Sequence, residues 1–201
     1  MYRFRTLLLL VLLVGLLTPG TARAATIDIQ MLNYIFGPQR ARVGLGDTAI
    51  WTNKGQGPHT STADDPLPLW DSGVTPEGET FSYVFTAAGT YSYECKIHTR
   101  YGMFGKIVVK DQVSPPSGPV GTVFTITVGT TVAPPGLVYD IQRRDPGGTF
   151  KDWMVDVTAF SVTFDSSGYA TGVYQFRSRV RQSSNDAAIG YSLPASISGT
   201  T

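Results

Sequence analysis

Residues 90–110 read TYSYECKIHTRYGMFGKIVVK, which predicts two β-strands joined by a loop with unusual side chains. Apolar and polar residues alternate on both sides of the loop, as is typical of strands with one buried face. The loop contains Cys95, His98 and Met103. Because Cys95 ends the first strand and the second begins soon after, the loop must turn back on itself. We therefore expect it to aim His98 and Met103 at the point where the cysteine sulfur projects.

The chain has one cysteine and two histidines, so a thiolate and both imidazoles can belong to one site. The other histidine, His59, lies upstream in the segment GPHT. Two imidazoles, a thiolate and a weak axial thioether are the ligands of a type 1 copper centre. We predict one copper ion per chain, held by His59, Cys95, His98 and Met103. Singly, each has an ordinary alternative: a buried thiol, a turn histidine or a core methionine.

Other chemistries fit these residues less well. Zinc is a weaker interpretation because a thioether suits copper better. A cysteine–histidine nucleophile is weaker still, because no third group that would orient the histidine is evident. With only two histidines, no imidazole remains for a second copper that would bind oxygen or nitrite. We therefore predict that the protein is not an enzyme but a carrier of single electrons. The alternative is a copper carrier or scavenger without redox relay.

The N-terminal residues predict export. Arg3 and Arg5 precede an apolar run at 7–17, and small residues at 22 and 24 form a signal-peptidase site, so residues 1–24 are interpreted as a signal peptide. The run is shorter than the roughly 20 residues of a spanning helix, which disfavours an uncleaved anchor. No membrane span is expected after cleavage, and the location is secreted, cell-surface or periplasmic. Losing three arginines turns 16 basic against 15 acidic residues into an acidic excess, which disfavours nucleic acid as a partner.

The remaining chain shows strand patterns separated by turn residues and no sustained helical period. A segment rich in proline, serine and glycine at 111–119 divides it. The fold class is predicted as all-β, with two β-sandwich domains. The boundaries are a first domain at 25–111, a linker at 112–120 and a second domain at 121–201. Strands are expected at 26–31, 48–52, 80–85, 90–94, 105–110, 122–128, 137–144, 150–154, 161–164, 172–181 and 190–197.

The first domain contains, in order, the motifs FGP at 36–38, VGLGDTAIWTN at 43–53, PHT at 58–60, GTYSYEC at 89–95 and MFGKIVV at 103–109. Together these motifs resemble the cupredoxins, specifically their plastocyanin-like branch. This resemblance implies a Greek-key β-sandwich with type 1 copper at one end and redox proteins as partners. It also implies that the ring edge of His98 reaches the surface and passes the electron. Thr60 follows the first histidine, where the family often has asparagine, and Glu94 stands where plastocyanin has an aromatic residue that serves a second docking patch.

The second domain gives a less specific signal. Segments 139–153 and 174–181 look like strands of a fibronectin type III sandwich, an immunoglobulin-like fold. Arg177, Arg179 and Arg181 alternate along one strand and therefore share a face, which is solvated or binds an anionic partner. No catalytic set is visible. We expect this domain to space the copper domain or to dock it to a protein or surface polymer; a rival interpretation is an adhesion or scaffold protein that acts through this domain.

Overall fold

A computed structural model describes residues 24–201, so the predicted signal peptide falls almost wholly outside the described part. Within this part the chain is folded into strands, and a single 3-10 turn at Thr99–Tyr101 is the one helical element there. The prediction of an all-β protein is confirmed. None of the helical structure in residues 24–201 has the length and apolar character needed to cross a membrane.

The first half of the chain packs two four-stranded sheets face to face. One sheet has the order β2-β1-β4-β6 and the other β3-β8-β7-β5. The alternation seen in the sequence decides which side chains face inward; along β7, Tyr91 and Tyr93 are buried while Ser92 is half-buried. Trp51 and Phe85 fill the space between the sheets. The strands are β1 Thr26–Leu32, β2 Ile35–Gly37, β3 Arg40–Val43, β4 Thr48–Asn53, β5 Thr62–Ala63, β6 Thr80–Val84, β7 Gly89–Glu94 and β8 Phe104–Val109.

The second half also forms two sheets, one of three strands and one of five. Their orders are β14-β11-β9 and β10-β16-β15-β12-β13. Phe124, Phe164 and Phe176 are buried between them. The strands are β9 Gln112–Ser114, β10 Ser117–Pro119, β11 Val123–Thr127, β12 Leu137–Arg144, β13 Phe150–Val157, β14 Ser161–Asp165, β15 Gly172–Gln182 and β16 Ala195–Thr200.

The segment 112–120, expected to be a linker, contributes two strands to these sheets. β9 pairs with β11, and β10 pairs with β16. Both lie at the edge of their sheet, where a proline that cannot donate a backbone hydrogen bond is tolerated. The proline-rich composition therefore marks edge strands here rather than a free connection.

The two halves are joined by backbone hydrogen bonds along the first residues of β7. β5 pairs only with Tyr93 and Glu94, so the beginning of β7 has no partner on that side within its own sheet. The second half covers it: Thr90 N–H donates to Gly190 O at 2.8 Å, and Gly190 N–H donates to Thr90 O at 3.0 Å. A side chain at Gly89 would collide with that of Ile189, so the close approach requires glycine.

A buried carboxyl group, hydrogen-bonded across the two halves, lies at the same junction. Asp111, 4% exposed, accepts hydrogen bonds from the hydroxyls of Ser178 and Ser192 in the second half. The junction also lies far from the loop at 95–103. Thr90 and Cys95 are separated by five residues of extended strand, or about 17 Å. The second half is therefore fixed to the end of the first sandwich opposite that loop.

The arginines of β15 do not form a uniformly solvated face, because Arg181 is buried and ion-paired. Its guanidinium contacts the carboxylates of Asp140, Asp156 and Asp186. Arg179 also pairs with Asp140, at 3.1 Å, whereas the guanidinium of Arg177 donates to the side-chain oxygen of Gln142. These partners come from different strands and loops, which the spacing along β15 could not reveal.

Candidate metal centre

Three of the four predicted ligands meet at the end of the first sandwich. The Cys95 sulfur lies 3.4 Å from His98 Nδ1 and 3.8 Å from His59 Nδ1, and the two Nδ1 atoms are 3.2 Å apart. Cys95 and His59 are fully buried and His98 is half-buried. Met103, the fourth predicted ligand, is also fully buried, on the same loop as Cys95 and His98. Its thioether ligation stays a prediction.

Backbone hydrogen bonds within the loop at 95–103 hold it in a compact turn. Cys95 N–H donates to Met103 O at 3.0 Å, which ties the two ends of the loop together. His98 N–H donates to Cys95 O at 2.9 Å, and the 3-10 turn follows directly. Gly102 ends this turn with a φ of 76°, a left-handed conformation that glycine adopts without strain. These bonds return the chain into β8.

Asn53 organises the loop that carries His59. Its side-chain nitrogen donates to Gly57 O at 2.8 Å and to Thr75 O at 2.9 Å, while its oxygen accepts from Gly55 N–H. His59 in turn exchanges backbone hydrogen bonds with Thr75. Asn53 is fully buried at the end of β4. No role was predicted for Asn53 from the sequence. An asparagine at the end of a strand, followed by a glycine-containing loop, is nevertheless a recognisable turn signal.

Thr60 connects the two loops of the site. Its hydroxyl accepts a hydrogen bond from Lys96 N–H at 2.9 Å, and its own N–H donates to the Cys95 sulfur at 3.3 Å. The first bond joins the residue after His59 to the residue after Cys95. The second places a hydrogen-bond donor on the cysteine sulfur and holds it in position. Thr60 therefore connects the two loops, although its side chain is shorter than that of the asparagine that the family often has at this position.

The electrostatics of the site favour a cation with these donors as ligands. Burial, and to a lesser extent the nearby His98, lowers the pKa of His59, so its ring stays neutral at neutral pH and keeps a nitrogen lone pair. Two imidazole nitrogens and a sulfur face one another with no carboxylate in the cluster. All three ligand atoms lie within 4.8 Å of one another. This donor set suits a soft or borderline metal ion such as copper.

Exposed aromatic side chains surround the outer edge of His98. The Tyr34 ring stands perpendicular to the imidazole, with the ring centroids 5.0 Å apart. Tyr101 packs against Tyr34 at 4.6 Å between centroids. Both tyrosines are about half exposed. The buried cluster therefore reaches the surface at His98, between two aromatic rings.

Comparison with known proteins agrees with this geometry. The family model described as copper binding proteins of the plastocyanin/azurin family matches residues 23–110. Plastocyanin from Vicia faba is 35% identical over 88 residues, which cover 37% of this chain and 86% of that protein. Plastocyanin from Prochlorothrix hollandica is 32% identical over 124 residues, covering 54% and 93%. The chain belongs to the plastocyanin/azurin family. Its group of His59, Cys95 and His98 fits the type 1 copper site of a copper-binding cupredoxin.

Other relatives match over a smaller share of their length. Chloroplastic plastocyanin from Tetradesmus obliquus is 32% identical over 85 residues, covering 38% of this chain and 59% of that protein. Among solved structures, a novel purple cupredoxin from Nitrosopumilus maritimus is 26% identical over 41% of this chain and 97% of its own, with a TM-score of 0.38. The reduced state of an amicyanin variant is 29% identical over 42% and 81%, also with a TM-score of 0.38.

Proposed function

We propose that this chain is an exported blue copper protein that carries one electron at a time between redox partner proteins. The observation that carries the proposal is the buried meeting of two imidazole nitrogens and a single thiol within 4.8 Å. In this proposal His59, Cys95 and His98 bind the metal strongly and Met103 is the weak axial ligand. Copper, when bound there, would supply a one-electron couple.

The residues around the site support this use. Burial of Cys95 and His59 excludes water, which would otherwise reorganise with each change of charge. The Thr60 N–H donates to the Cys95 sulfur, and the Thr60 hydroxyl accepts from the Lys96 N–H. These two bonds fix the sulfur and both loops. Half-buried His98 brings the cluster close to the surface, where a partner can approach it. A site held by two braced loops changes little in geometry when its charge changes, which keeps electron transfer fast.

The second half supports a role as a spacer or docking module. We propose a first domain at 25–111 and a second domain with a fibronectin type III-like fold, which includes the edge strands within 112–120 as well as residues 121–201. The hydrogen bonds of Thr90 with Gly190 and the buried Asp111 fix this domain at the end opposite His98. A partner bound to the second domain would therefore leave the metal centre accessible. Export through the signal peptide at 1–24 belongs to the same proposal.

Titration of the chain 25–201 with Cu(II) tests the proposed function. We expect one equivalent to give an intense blue absorption that disappears on reduction and returns on oxidation. Met103→Gln should keep the colour and lower the reduction potential, because a stronger axial ligand favours Cu(II). A copper complex that is colourless, or that cannot be cycled, would instead support a copper carrier or scavenger.

A further inference from the structure

The outer face of the sheet β3-β8-β7-β5 carries an exposed aromatic ring beside the metal centre. Phe104 on β8 lies directly opposite Glu94 on β7, so their side chains share one face of the sheet. Phe104 is 42% exposed. It is bonded to Met103, whose carbonyl accepts the Cys95 N–H. The aromatic side chain of Phe104 therefore reaches solvent on the strand next to Glu94, the residue that directly precedes Cys95.

Basic side chains share this face. Arg40 on β3 lies opposite Lys106 on the neighbouring parallel strand β8, and both are exposed. Arg42 follows on the same face of β3, and Lys110 comes directly after β8. Across residues 24–201, none of these four cations forms an ion pair. Adjacent like charges destabilise a sheet, so a partner that neutralises them would bind favourably.

Two neighbouring grooves give this face a shape that a protein surface can fill. The first, with a volume of about 410 Å³, is lined by Arg40, Phe104 and Lys106. The second, of about 400 Å³, is lined by Arg42 and Lys110 and extends to the junction between the halves. The basic stripe therefore runs from the metal end to the second domain.

The acidic groups near the first groove do not cancel this charge. Asp64 lines it without an ion pair to Arg40 or Lys106. The carboxylate of Asp65 accepts the Ser92 N–H, and the Glu94 carboxylate accepts the Thr99 hydroxyl. These acidic groups leave the four cations unpaired, so the stripe keeps an excess of positive charge.

We propose that this face is a second docking surface, and that its occupant is a redox protein with an acidic surface around an apolar contact. The inference rests on the proposed electron-transfer function. Carboxylates of the partner would meet Arg40, Arg42, Lys106 and Lys110, and its apolar centre would cover Phe104. Such complementarity mainly accelerates association and selects the partner, and it weakens as salt screens the charges. The face is separate from the aromatic surface around His98.

Binding to this face can be tested without copper. The probe is a nitroxide-labelled peptide of six glutamates around a central leucine, added to the 15N-labelled, metal-free chain 25–201. We expect the bound peptide to broaden the backbone NMR signals of Arg40, Phe104 and Lys106. This broadening should disappear at about 1 M salt, where the Debye length is about 3 Å. The same peptide with glutamines in place of glutamates should broaden none of them. Broadening centred instead on Arg177 and Arg179 would overturn the proposal.

Charge reversal provides the quantitative test. Lys106→Glu should weaken binding of the glutamate peptide about fivefold, whereas Lys151→Glu, the same charge change on an exposed strand of the second half, should change it less than about twofold. Phe104→Ala should weaken binding about threefold and leave the blue absorption of the copper-loaded chain unchanged. Equal effects of the two reversals would refute the docking surface. Failure of the copper titration alone would refute the electron-transfer function, because peptide binding needs no metal.

Discussion

Two buried polar clusters in this molecule differ in how far their members satisfy one another. Around Arg181, one guanidinium meets three carboxylates, and the Asp140 side chain, 3% exposed, also accepts from Arg179. At the other cluster, Cys95 and two histidines face each other with donor atoms of one kind. The first cluster is complete within the chain. The second brings together a sulfur and two imidazole nitrogens whose lone pairs a single bound cation would engage.

This difference teaches how to separate structural from functional polar clusters. A buried charge without a partner costs several kcal/mol, so groups that serve the fold come with their partners. Groups that serve a ligand are held by backbone and neighbouring side chains instead, as Thr60 and Asn53 hold the loops at the metal centre. Mutations should therefore divide into those that abolish copper binding and those that unfold the protein.

The largest effect is expected at the metal centre. Cys95→Ser should remove the intense blue absorption entirely, because the thiolate bond to copper produces it. The metal-free protein should stay folded, with its free energy of unfolding lowered by less than about 2 kcal/mol, since serine nearly matches cysteine in shape. Absorption spectra with Cu(II) and urea unfolding without metal measure the two quantities. A blue Cys95→Ser protein would contradict the assignment.

The reverse outcome is expected at the satisfied cluster. Arg181→Met leaves Asp140 buried without its main partner and should lower the free energy of unfolding by about 3–5 kcal/mol. The folded fraction should still turn blue with copper. Arg177→Met is the control, because that guanidinium donates to the Gln142 amide oxygen rather than to a carboxylate, and it should cost about 1 kcal/mol. A loss of only about 1 kcal/mol for Arg181→Met would show that the cluster is not needed for folding.

The junction carboxylate gives an intermediate effect that depends on pH. Burial raises the pKa of Asp111 to about 6, although bonds from Ser178 and Ser192 lower it. Since this pKa exceeds the value near 4 of the unfolded chain, the carboxyl stabilises the fold fully below about pH 4 and loses that contribution as the pH rises through about 6. Between about pH 4 and pH 7, the wild type should lose about 2 kcal/mol relative to Asp111→Asn.

Urea unfolding of both proteins across this pH range measures the difference. Asp165→Asn is a suitable control, because that carboxylate is on the surface and its pKa is lowered rather than raised. If Asp111→Asn followed the wild type in parallel at all pH values, the junction carboxyl would not titrate in this range. The metal centre should keep its colour in this variant, since the junction lies at the opposite end of β7.

The smallest effect is expected at Thr60, which braces the metal loops. Thr60→Val removes the hydroxyl that accepts the Lys96 N–H and should cost about 1–3 kcal/mol of unfolding free energy. The colour should persist while the reduction potential shifts, because the Lys96 side of the loop loses its anchor. Thr60→Ser keeps the hydroxyl and should retain both properties. Electrochemistry and urea unfolding of the two variants test this; a normal potential in Thr60→Val would remove the bracing role.

The sequence predicted those parts of the molecule that depend on short segments. Long alternating strands such as β12 at 137–144 were found at the expected bounds, and the loop at 95–103 placed Cys95 and His98 together. Short strands were missed: β5 has two residues and β9 has three, and only their neighbours decide that they pair. The two short strands within segment 112–120 were not predicted for the same reason.

Contacts between distant segments could not be predicted from the sequence either. Burial of Arg181 depends on Asp140, Asp156 and Asp186, which lie on different elements, so a charged residue on an alternating strand looked solvated. The role of Asn53 depends on carbonyls at Gly57 and Thr75. A side chain's type predicts what it can bond, but the partner emerges only when the sheets pack.

The covering of β7 by Gly190 has a consequence for the protein's behaviour at high concentration. An open strand edge presents unpaired N–H and C=O groups to which another chain can add as an extra strand. Hydrogen bonds between Thr90 and Gly190 occupy that edge from within the same chain. A fragment that ends at residue 111 would expose it again and present a template for self-association. The second half thus prevents polymerisation of the first half through this strand edge.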